Sequence, residues 1–238
     1  FGGAIAKSLV KKGYEVSSYS RSSYTELDKL GVKQFQGDLS QLETVKTAFE
    51  GVDAVMHVAA KAGIFGEYKD FHDANVIGTE NVIAACKHHG ISKLVYTSSP
   101  SVVFSGEDQQ GENELAPSPV EFLSPYPKSK AIAEKLILAA NSSSLATVAL
   151  RPHLIWGPGD NHLVPRILDK GQKGKLRLVG KENKLVDAVF IDNASDAHIL
   201  ALEKLSNSSH ISGQVYFITN QQPWAMCDIV NGILKAGG

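Results

Sequence analysis

Hydrophobic and polar residues follow two different periods along this chain. Short apolar runs, such as AVMHV at residues 54–58 and LVYT at residues 94–97, have the length and composition of buried strands. Longer segments repeat apolar residues every three to four positions, as the buried face of a helix does. The alternation of the two kinds of segment is typical of a parallel sheet with helices on both faces. We therefore predict an α/β fold with a Rossmann-type, doubly wound parallel sheet.

The predicted elements can be placed along the chain. Strands are expected at residues 14–19, 32–36, 54–58, 94–97, 146–150, 185–191 and 214–218, with a short one near 176–179. Helices are expected at residues 2–12, 41–49, 71–89, 126–140 and 193–205, with one more after the loop at 156–160 and another beginning after residue 220. Gly13 and Gly90 follow two of these helices, where glycine commonly takes the left-handed conformation that ends a helix.

Composition and charge argue against several classes of protein. The 238 residues are 43% hydrophobic, enough for a substantial core, and the net charge of -1 gives no field that would attract nucleic acid. No apolar run reaches the length of a membrane span, and no signal peptide is visible. Cys86 and Cys227 lie in helix-like segments, and no Cys/His cluster has metal-ligand spacing. We expect a cytoplasmic protein without a disulfide framework, a metal site or a nucleic-acid partner.

The strongest chemical signal is the segment YPKSK, residues 126–130, at the start of a predicted helix. A spacing of four residues puts the Tyr126 phenol and the Lys130 ammonium on one helical face, about 5–6 Å apart at their β-carbons. Tyrosine normally has a pKa of about 10. A neighbouring cation lowers that pKa, which makes reversible proton transfer to a carbonyl oxygen feasible. An exposed structural pair is the alternative, but the position after a buried strand and a long loop favours the catalytic interpretation.

A second signal lies where the strand at residues 94–97 ends in hydroxyl side chains, Thr97, Ser98 and Ser99. Ligands of open α/β sheets bind at the carboxyl ends of the strands. A serine there can donate a hydrogen bond to a carbonyl oxygen on which negative charge develops. Each hydroxyl taken singly could instead cap a local turn. Because the Tyr126–Lys130 pair occurs in the same chain, we interpret Ser99 as a candidate catalytic residue.

Three features bear on a nucleotide cofactor. Phe1-Gly2-Gly3 is similar to the end of a glycine-rich turn, which lets backbone approach a pyrophosphate at a helix N-terminus. Arg21 follows a predicted strand at a place where a carboxylate would select the ribose hydroxyl of NAD and an arginine suits the 2′-phosphate of NADP. This favours NADP(H) over NAD(H), and a solvated surface arginine is the structural alternative. Asp38 would either meet the adenine amino group or cap the next helix.

In their order along the chain, these residues resemble the extended short-chain dehydrogenases. The motifs that carry the resemblance are GDL at 37–39, HVAA at 57–60, NVIGT at 75–79, YTSS at 96–99, YPKSK at 126–130 and RP at 151–152. The segments SPSVVF at 99–104 and RPHLIWGPGD at 151–160 are similar to the 3β-hydroxysteroid dehydrogenase branch. Within that branch, NHLVPR at 161–166 with LVD at 185–187 most resembles the bacterial reductases of 2-alkyl-3-oxoalkanoates in long-chain olefin biosynthesis.

The resemblance implies roles for individual residues. Ser99 and Tyr126 would bind and protonate a ketone oxygen. Lys130 would hold the nicotinamide ribose and tune Tyr126, and Asn75 would lie behind the active site as a fourth catalytic residue. The loop after Pro152 would pass the nicotinamide amide. The residues implied near the cofactor are Phe1, Gly2, Arg21, Asp38, Leu39, Ala59, Ala60, Lys61, Thr97, Tyr126, Lys130 and Pro152.

The implied reaction is NADPH-dependent reduction of the 3-keto group of a 2-alkyl-3-oxoalkanoate to the β-hydroxy acid. The substrate carboxylate needs a cation; His162 and Arg166 are candidates, although a helix-start histidine and a surface arginine are equally good interpretations. A 3β-hydroxysteroid or sterol-4α-carboxylate 3-dehydrogenase would use the same catalytic residues, and a nucleotide-sugar epimerase or reductase comes next. A cofactor-sensing regulatory protein is the non-enzymatic alternative, and the retention of Ser99, Tyr126 and Lys130 speaks against it.

The resemblance also implies a domain organisation and partners. Residues 1–155 would form a dinucleotide-binding domain without its first strand, and residues 185–219 would return to it. Residues 156–184 would form a small, incomplete substrate-binding region, and residues 220–238 the truncated start of another substrate-binding segment. The expected substrate is a small β-keto or β-hydroxy acid or a sterol-like molecule. We also expect a homodimer and association with other enzymes of olefin biosynthesis.

Overall fold

The computed structural model describes residues 1–63, 65–160, 163–177 and 184–237. Its helices are α1 (Gly2–Lys11), α2 (Thr25–Lys29), α3 (Leu42–Ala48), α4 (Tyr68–Phe71), α5 (Gly78–His89), α6 (Pro125–Ala139), α7 (Leu163–Gln172), α8 (Ile191–Lys204) and α9 (Met226–Ala236). Its strands are β1 (Ser17–Ser20), β2 (Lys33–Gln36), β3 (Ala54–His57), β4 (Lys93–Thr97), β5 (Ala146–Pro152), β6 (Leu154–Trp156), β7 (Leu185–Val186), β8 (Ala188–Phe190), β9 (Gln214–Ile218) and β10 (Trp224–Ala225). A π-helical turn, His72–Ile77, joins α4 to α5, and a 3₁₀ turn, Pro100–Val103, follows β4.

The main sheet is parallel, as the alternation of segments predicted. Four strands lie in the order β3-β4-β5-β9, and β1 pairs separately with β2. All of these pairs are parallel, with α5 between β3 and β4, α6 between β4 and β5, and α8 before β9. The smaller pairs are β6–β8, which is parallel, and β7–β10, which is antiparallel. The predicted α/β, doubly wound fold class is confirmed.

Strand β5 separates the two largest cores, and all seven of its residues are buried. Ala149 packs in the core cluster that contains Ile137 of α6. Val148 and Leu150 pack in the opposite cluster, with the apolar residues at the end of α8. Because successive strand side chains point to opposite faces, a strand covered by helices on both sides must be apolar throughout.

Residues of both β1 and β3 line one cleft with a volume of about 1730 Å³. The first residues of α1 also line it, together with the residues that follow β3, β4 and β5. The cleft reaches the first residues of β2 and β4 at the opposite edge as well. Its part at the carboxyl ends of the strands is where open α/β sheets bind their ligands.

Some element boundaries differ from the prediction for physical reasons. The helix expected over residues 71–89 is interrupted by the π-helical turn, although it ends at Gly90 as predicted, with Gly90 in the left-handed region (φ 67°). Strand β5 runs on through Pro152, because the strand pairing with β9 continues to Ile218. The strand expected at 185–191 is divided at Asp187, because β7 pairs with β10 whereas β8 pairs with β6.

Other predictions concern the second half of the chain. The strand at residues 214–218 has the predicted bounds and joins β5, as expected for a return to the sheet. The short strand expected near residues 176–179 lies partly outside the described residues. Helix α8 begins two residues before the predicted start at residue 193. The proposed division into binding segments stays a prediction.

Candidate active site

Tyr126 and Lys130 lie on the first two turns of α6. Pro125 and Pro127 fall in the first turn, where a helix tolerates residues without an N–H group. Lys130 is only 2% exposed, and its Nζ donates a hydrogen bond of 2.7 Å to the carbonyl oxygen of Thr97. Burial lowers the pKa of Lys130 to about 7, and the carboxylate of Glu134 partly opposes this effect. The ammonium is thus held against the end of β4.

Ser99 meets the same helix from the end of β4. Its Oγ accepts the backbone N–H of Ser101 at 3.2 Å and shares a hydrogen bond of 2.8 Å with the Ser101 hydroxyl. Burial raises the pKa of Tyr126, and a hydrogen bond from Ser99 lowers it. The structure therefore places Ser99 beside Tyr126 among the residues that line the cleft, whereas Lys130 is buried and does not line it. The Tyr126 phenol stays protonated near neutral pH.

Asn75 lies in the π-helical turn and is buried behind the cleft. Its amide nitrogen donates to the hydroxyl of Ser129 (2.9 Å) and to the carbonyl oxygen of Lys61 (3.0 Å), while its amide oxygen accepts the N–H of Lys61 (2.7 Å). Ser129 in turn donates to the carbonyl oxygen of Tyr126 at 2.8 Å. Asn75 thereby ties α6 to the loop after β3.

The sequence interpretation missed a contact between Thr97 and His198. The Thr97 hydroxyl and Nε2 of His198 are 2.9 Å apart, and Nδ1 of His198 lies 2.7 Å from the carbonyl oxygen of Ala194. A carbonyl only accepts, so Nδ1 carries the proton and Nε2 accepts from the threonine. The Phe1 ring packs edge-on against His198 at 4.9 Å between centroids. A histidine on an apolar helix face gives no sequence signal of such a partner.

Of the twelve residues implied near the cofactor, eight line the cleft, and Arg21, Asp38, Lys61 and Lys130 do not. Those that line the cleft are Phe1, Gly2, Leu39, Ala59, Ala60, Thr97, Tyr126 and Pro152. Arg21 is exposed at the end of β1 and contributes to lowering the pKa of Asp38. The main cause of that lowering is the hydrogen bond from the backbone N–H of Ser40 (2.9 Å), so Asp38 forms a tight turn just before α3. The Lys61 side chain pairs with Asp70 at 2.6 Å.

Several features fit a nicotinamide dinucleotide. The hydroxyls of Ser18 and Ser98 belong to residues that line the cleft, and they are buried without a hydrogen-bond partner among the described residues. Helix α1 starts at the cleft with two glycines and has no acidic residue in its first turn, which suits an anion at a helix N-terminus.

Two other features of the described ranges concern metal ions and membranes. No group of His, Cys, Asp or Glu there could hold a metal ion. None of the helices there has the length and the apolar composition of a membrane span.

The residues suggested for the substrate carboxylate are Arg166 and His162. Arg166 is exposed on α7 and is not among the residues that line the cleft. His162 lies outside the described residues. Both assignments stay predictions.

Comparison with known proteins gives consistent relatives. A family model described as 3-beta hydroxysteroid dehydrogenase/isomerase family matches residues 1–238. The chain is 52% identical to the 2-alkyl-3-oxoalkanoate reductase of Shewanella oneidensis and 50% identical to that of Stenotrophomonas maltophilia, in both cases over 100% of this chain. It is 35% identical, over 97% of its length, to the human sterol-4-alpha-carboxylate 3-dehydrogenase, decarboxylating. It spans 63%, 72% and 62% of these three relatives, respectively.

Solved structures share the fold. The UDP-glucose 4-epimerase of Thermus thermophilus, in complex with NAD, has a TM-score of 0.82 at 26% identity, covering 100% of this chain and 80% of that one. The UDP-glucose 4-epimerase of Thermotoga maritima has a TM-score of 0.85 at 18% identity, covering 100% and 79%. The second likeness concerns the fold alone.

Proposed function

The chain belongs to the 3-beta hydroxysteroid dehydrogenase/isomerase family, as its motifs predicted, and from this premise we propose that it reduces the 3-keto group of a 2-alkyl-3-oxoalkanoate to the β-hydroxy acid with NADPH. The observation that supports the proposal is that Ser99 and Tyr126 line the cleft together, one helical turn from the buried Lys130, whose Nζ bonds to the end of β4. We choose this substrate because the chain is 52% and 50% identical in sequence to two proteins named 2-alkyl-3-oxoalkanoate reductase.

The side chains have distinct tasks in the proposed reaction. A bound nicotinamide dinucleotide would supply the hydride that adds to the ketone carbon. The Ser99 hydroxyl donates a hydrogen bond to the ketone oxygen and orients it. Tyr126 gives that oxygen its phenolic proton, which is available because burial raises the pKa of Tyr126. Lys130 stabilises the phenolate left on Tyr126, and a proton from solvent restores the phenol.

The residues that would hold the cofactor lie along the cleft. The N-terminal turn of α1 would face the pyrophosphate, and the unpartnered hydroxyls of Ser18 and Ser98 would gain partners. Arg21 supports NADP(H) as the cofactor, since a guanidinium pairs well with a 2′-phosphate. The homodimer and the association with other enzymes of olefin biosynthesis stay predictions.

The test uses the full-length protein, a 2-alkyl-3-hydroxy acid and NADP⁺, with the absorbance of reduced nicotinamide as the readout. We expect turnover, and we expect the Tyr126→Phe variant to lose about a hundredfold or more of kcat. That variant should bind NADP⁺ as tightly as the wild type does. An unreactive 2-alkyl-3-hydroxy acid would contradict the proposed substrate, and an active Tyr126→Phe variant would contradict the role of the phenol.

A sterol-4α-carboxylate is the second candidate substrate, because 35% identity links the chain to the human sterol-4-alpha-carboxylate 3-dehydrogenase. Its hydroxyl and carboxylate are related as in a β-hydroxy acid, so the same catalytic residues would serve. Measuring kcat/KM for both substrates decides between them: a higher value for the acyclic acid is expected, and a higher value for the sterol would reassign the substrate.

A further inference from the structure

His153 follows β5 at the carboxyl edge of the sheet, and Ser99 follows the neighbouring strand β4 at the same edge. Thr97 of β4 pairs with Leu150 of β5, so Ser99 and His153 follow that pair by two and three residues, respectively. The N–H of His153 donates to the carbonyl oxygen of Ile218 at 2.9 Å, which fixes its backbone. Neighbouring strands lie about 4.8 Å apart, so His153 emerges one strand away from Ser99.

The His153 side chain lies on the face of β5 that carries the catalytic helix. Arg151, two residues earlier, bonds to Glu134 of α6. Because side chains two residues apart share a face, His153 also begins on the α6 side. Its ring lies 5.6 Å from the ring of Phe217, and both His153 and Tyr126 line the cleft. The half-buried imidazole therefore lines the same cleft as Tyr126.

His153 is the best placed of the described cleft residues that can carry positive charge. These residues are Lys7, Lys33, His57, Lys93 and His153. Lys33 and Lys93 are the first residues of their strands, at the edge of the sheet opposite to the catalytic hydroxyl. His57 is 4% exposed and hydrogen-bonded to the Thr79 hydroxyl. Lys7 is exposed in the middle of α1.

We propose that the imidazole of His153 binds the carboxylate of the β-keto acid and so selects acids over neutral ketones. The inference rests on the proposed function and deepens it. In a β-keto acid the carboxyl carbon is two bonds from the ketone carbon. A ketone oxygen held by Ser99 and Tyr126 therefore leaves the carboxylate close enough to reach the next strand, where His153 lies.

The electrostatics of His153 agree with this role. Burial lowers the pKa of His153, and the carboxylate of Asp187 raises it. A substrate carboxylate would act in the same direction as Asp187 and favour the protonated imidazole. A hydrogen bond with an ionised donor or acceptor is roughly twice as strong as one between neutral groups, so the carboxylate of the acid binds the imidazole more tightly than an ester does.

The experiment compares a 2-alkyl-3-hydroxy acid with its methyl ester, using full-length wild type and His153→Phe and His153→Gln variants with NADP⁺. We expect the wild type to prefer the acid. His153→Phe should lose roughly tenfold or more in kcat/KM for the acid, mainly through KM, with the ester unchanged. His153→Gln keeps a hydrogen-bond donor, so its kcat/KM for the acid should lie between those of the wild type and His153→Phe. The matched control, Lys87→Gln, removes an exposed cation near the end of α5, outside the cleft, and should behave as the wild type.

Three outcomes have distinct meanings. Preservation of the wild-type acid preference in both His153 variants would overturn the inference and leave the proposed function standing. Equal losses for acid and ester would also overturn it, because they indicate a structural role, and titration with NADP⁺ reports whether the variants are folded. A wild type that oxidises neither acid nor ester would overturn the proposed function, and the inference with it.

Discussion

The Nζ atom of Lys130 lies 4.1 Å from the centroid of the Tyr96 ring, and both side chains are buried. Glu134, one turn further along α6, is engaged by Arg151 at 2.6 and 2.9 Å. The Lys130 ammonium thus has an aromatic face on one side and the carbonyl oxygen of Thr97 as its hydrogen-bond acceptor. A cation over an aromatic face gains about 0.5–2 kcal/mol, so the Tyr96 ring helps to keep a buried lysine charged.

Replacing Tyr96 tests this contact. Burial lowers the pKa of Lys130 to about 7, and the ring opposes that effect, so Tyr96→Leu should lower this pKa further. The charged lysine exists below its pKa; loss of the ring should therefore move the alkaline limb of the kcat/KM profile to lower pH. Tyr96→Phe keeps the ring and should retain the wild-type profile.

The other groups around Lys130 do not change in these variants. They are Tyr126 and Glu134 on its own helix and His57 on β3, whose pKa of about 3 reflects burial first and the charge of Lys130 second. Loss of the ring should reduce kcat/KM by roughly 2- to 30-fold near neutral pH. An alkaline limb that is the same in the Leu and Phe variants would refute the contribution of the ring.

Cofactor choice can be tested at Arg21. We expect Arg21→Ser to weaken NADP⁺ binding by about tenfold at low salt and to leave NAD⁺ binding unchanged, because only NADP carries the 2′-phosphate. Titration of the protein fluorescence with each nucleotide measures both affinities. Lys29→Ser, at the end of α2, removes an exposed cation as the control. If Arg21→Ser weakened the binding of NADP⁺ and NAD⁺ equally, Arg21 would not recognise the 2′-phosphate.

Local chemistry explains which site residues the sequence could predict. Tyr126 and Lys130 are four residues apart on one helix, so their proximity follows from helix geometry alone. Ser99 ends a strand, and the strand-end rule for parallel sheets places it at the same edge. Each of these predictions depends on short-range geometry together with the fold class.

Long-range partners could not be predicted from the same patterns. Thr97 and His198 are 101 residues apart, and each fits an ordinary strand end or apolar helix face. The π-helical turn around Asn75 adds a residue to one turn, and nothing in the composition of the segment marks where it falls. Such contacts depend on how helices are seated on the sheet, which hydrophobic periodicity does not specify.

The buried ion pair between Arg151 and Glu134 leads to a prediction on stability. Both side chains are about 5% exposed (6% and 5%), so removing one partner leaves an uncompensated charge in the core. We expect Glu134→Ala to cost about 3–5 kcal/mol in the free energy of unfolding and the double replacement Glu134→Leu/Arg151→Met to cost much less. Glu203→Ala, which breaks the exposed pair with Lys12, should cost far less than Glu134→Ala, because solvent screens that pair. Urea unfolding measures all three, and a double variant as unstable as Glu134→Ala would contradict this account.

Acid should destabilise the fold before its carboxylates are protonated. Burial lowers the pKa of His198 to about 4 and that of His57 to about 3, both from an ordinary value of 6.5. Between 6.5 and these values the unfolded chain binds protons that the folded chain does not, so stability falls as the pH falls through this window. Each histidine should contribute about 1.4 kcal/mol per pH unit.

Urea unfolding of the wild type between pH 7 and pH 5 measures this loss of stability directly. The test variant is His198→Gln, and the control is His210→Gln, at an exposed position. His198→Gln should lose part of the acid dependence because its amide cannot take up a proton, while its hydrogen-bonding atoms can still reach Thr97. His210→Gln should follow the wild-type curve. A wild-type stability that stays constant from pH 7 to pH 5 would mean that water reaches both imidazoles in the folded state. The buried contact between His198 and Thr97 would then not hold in solution.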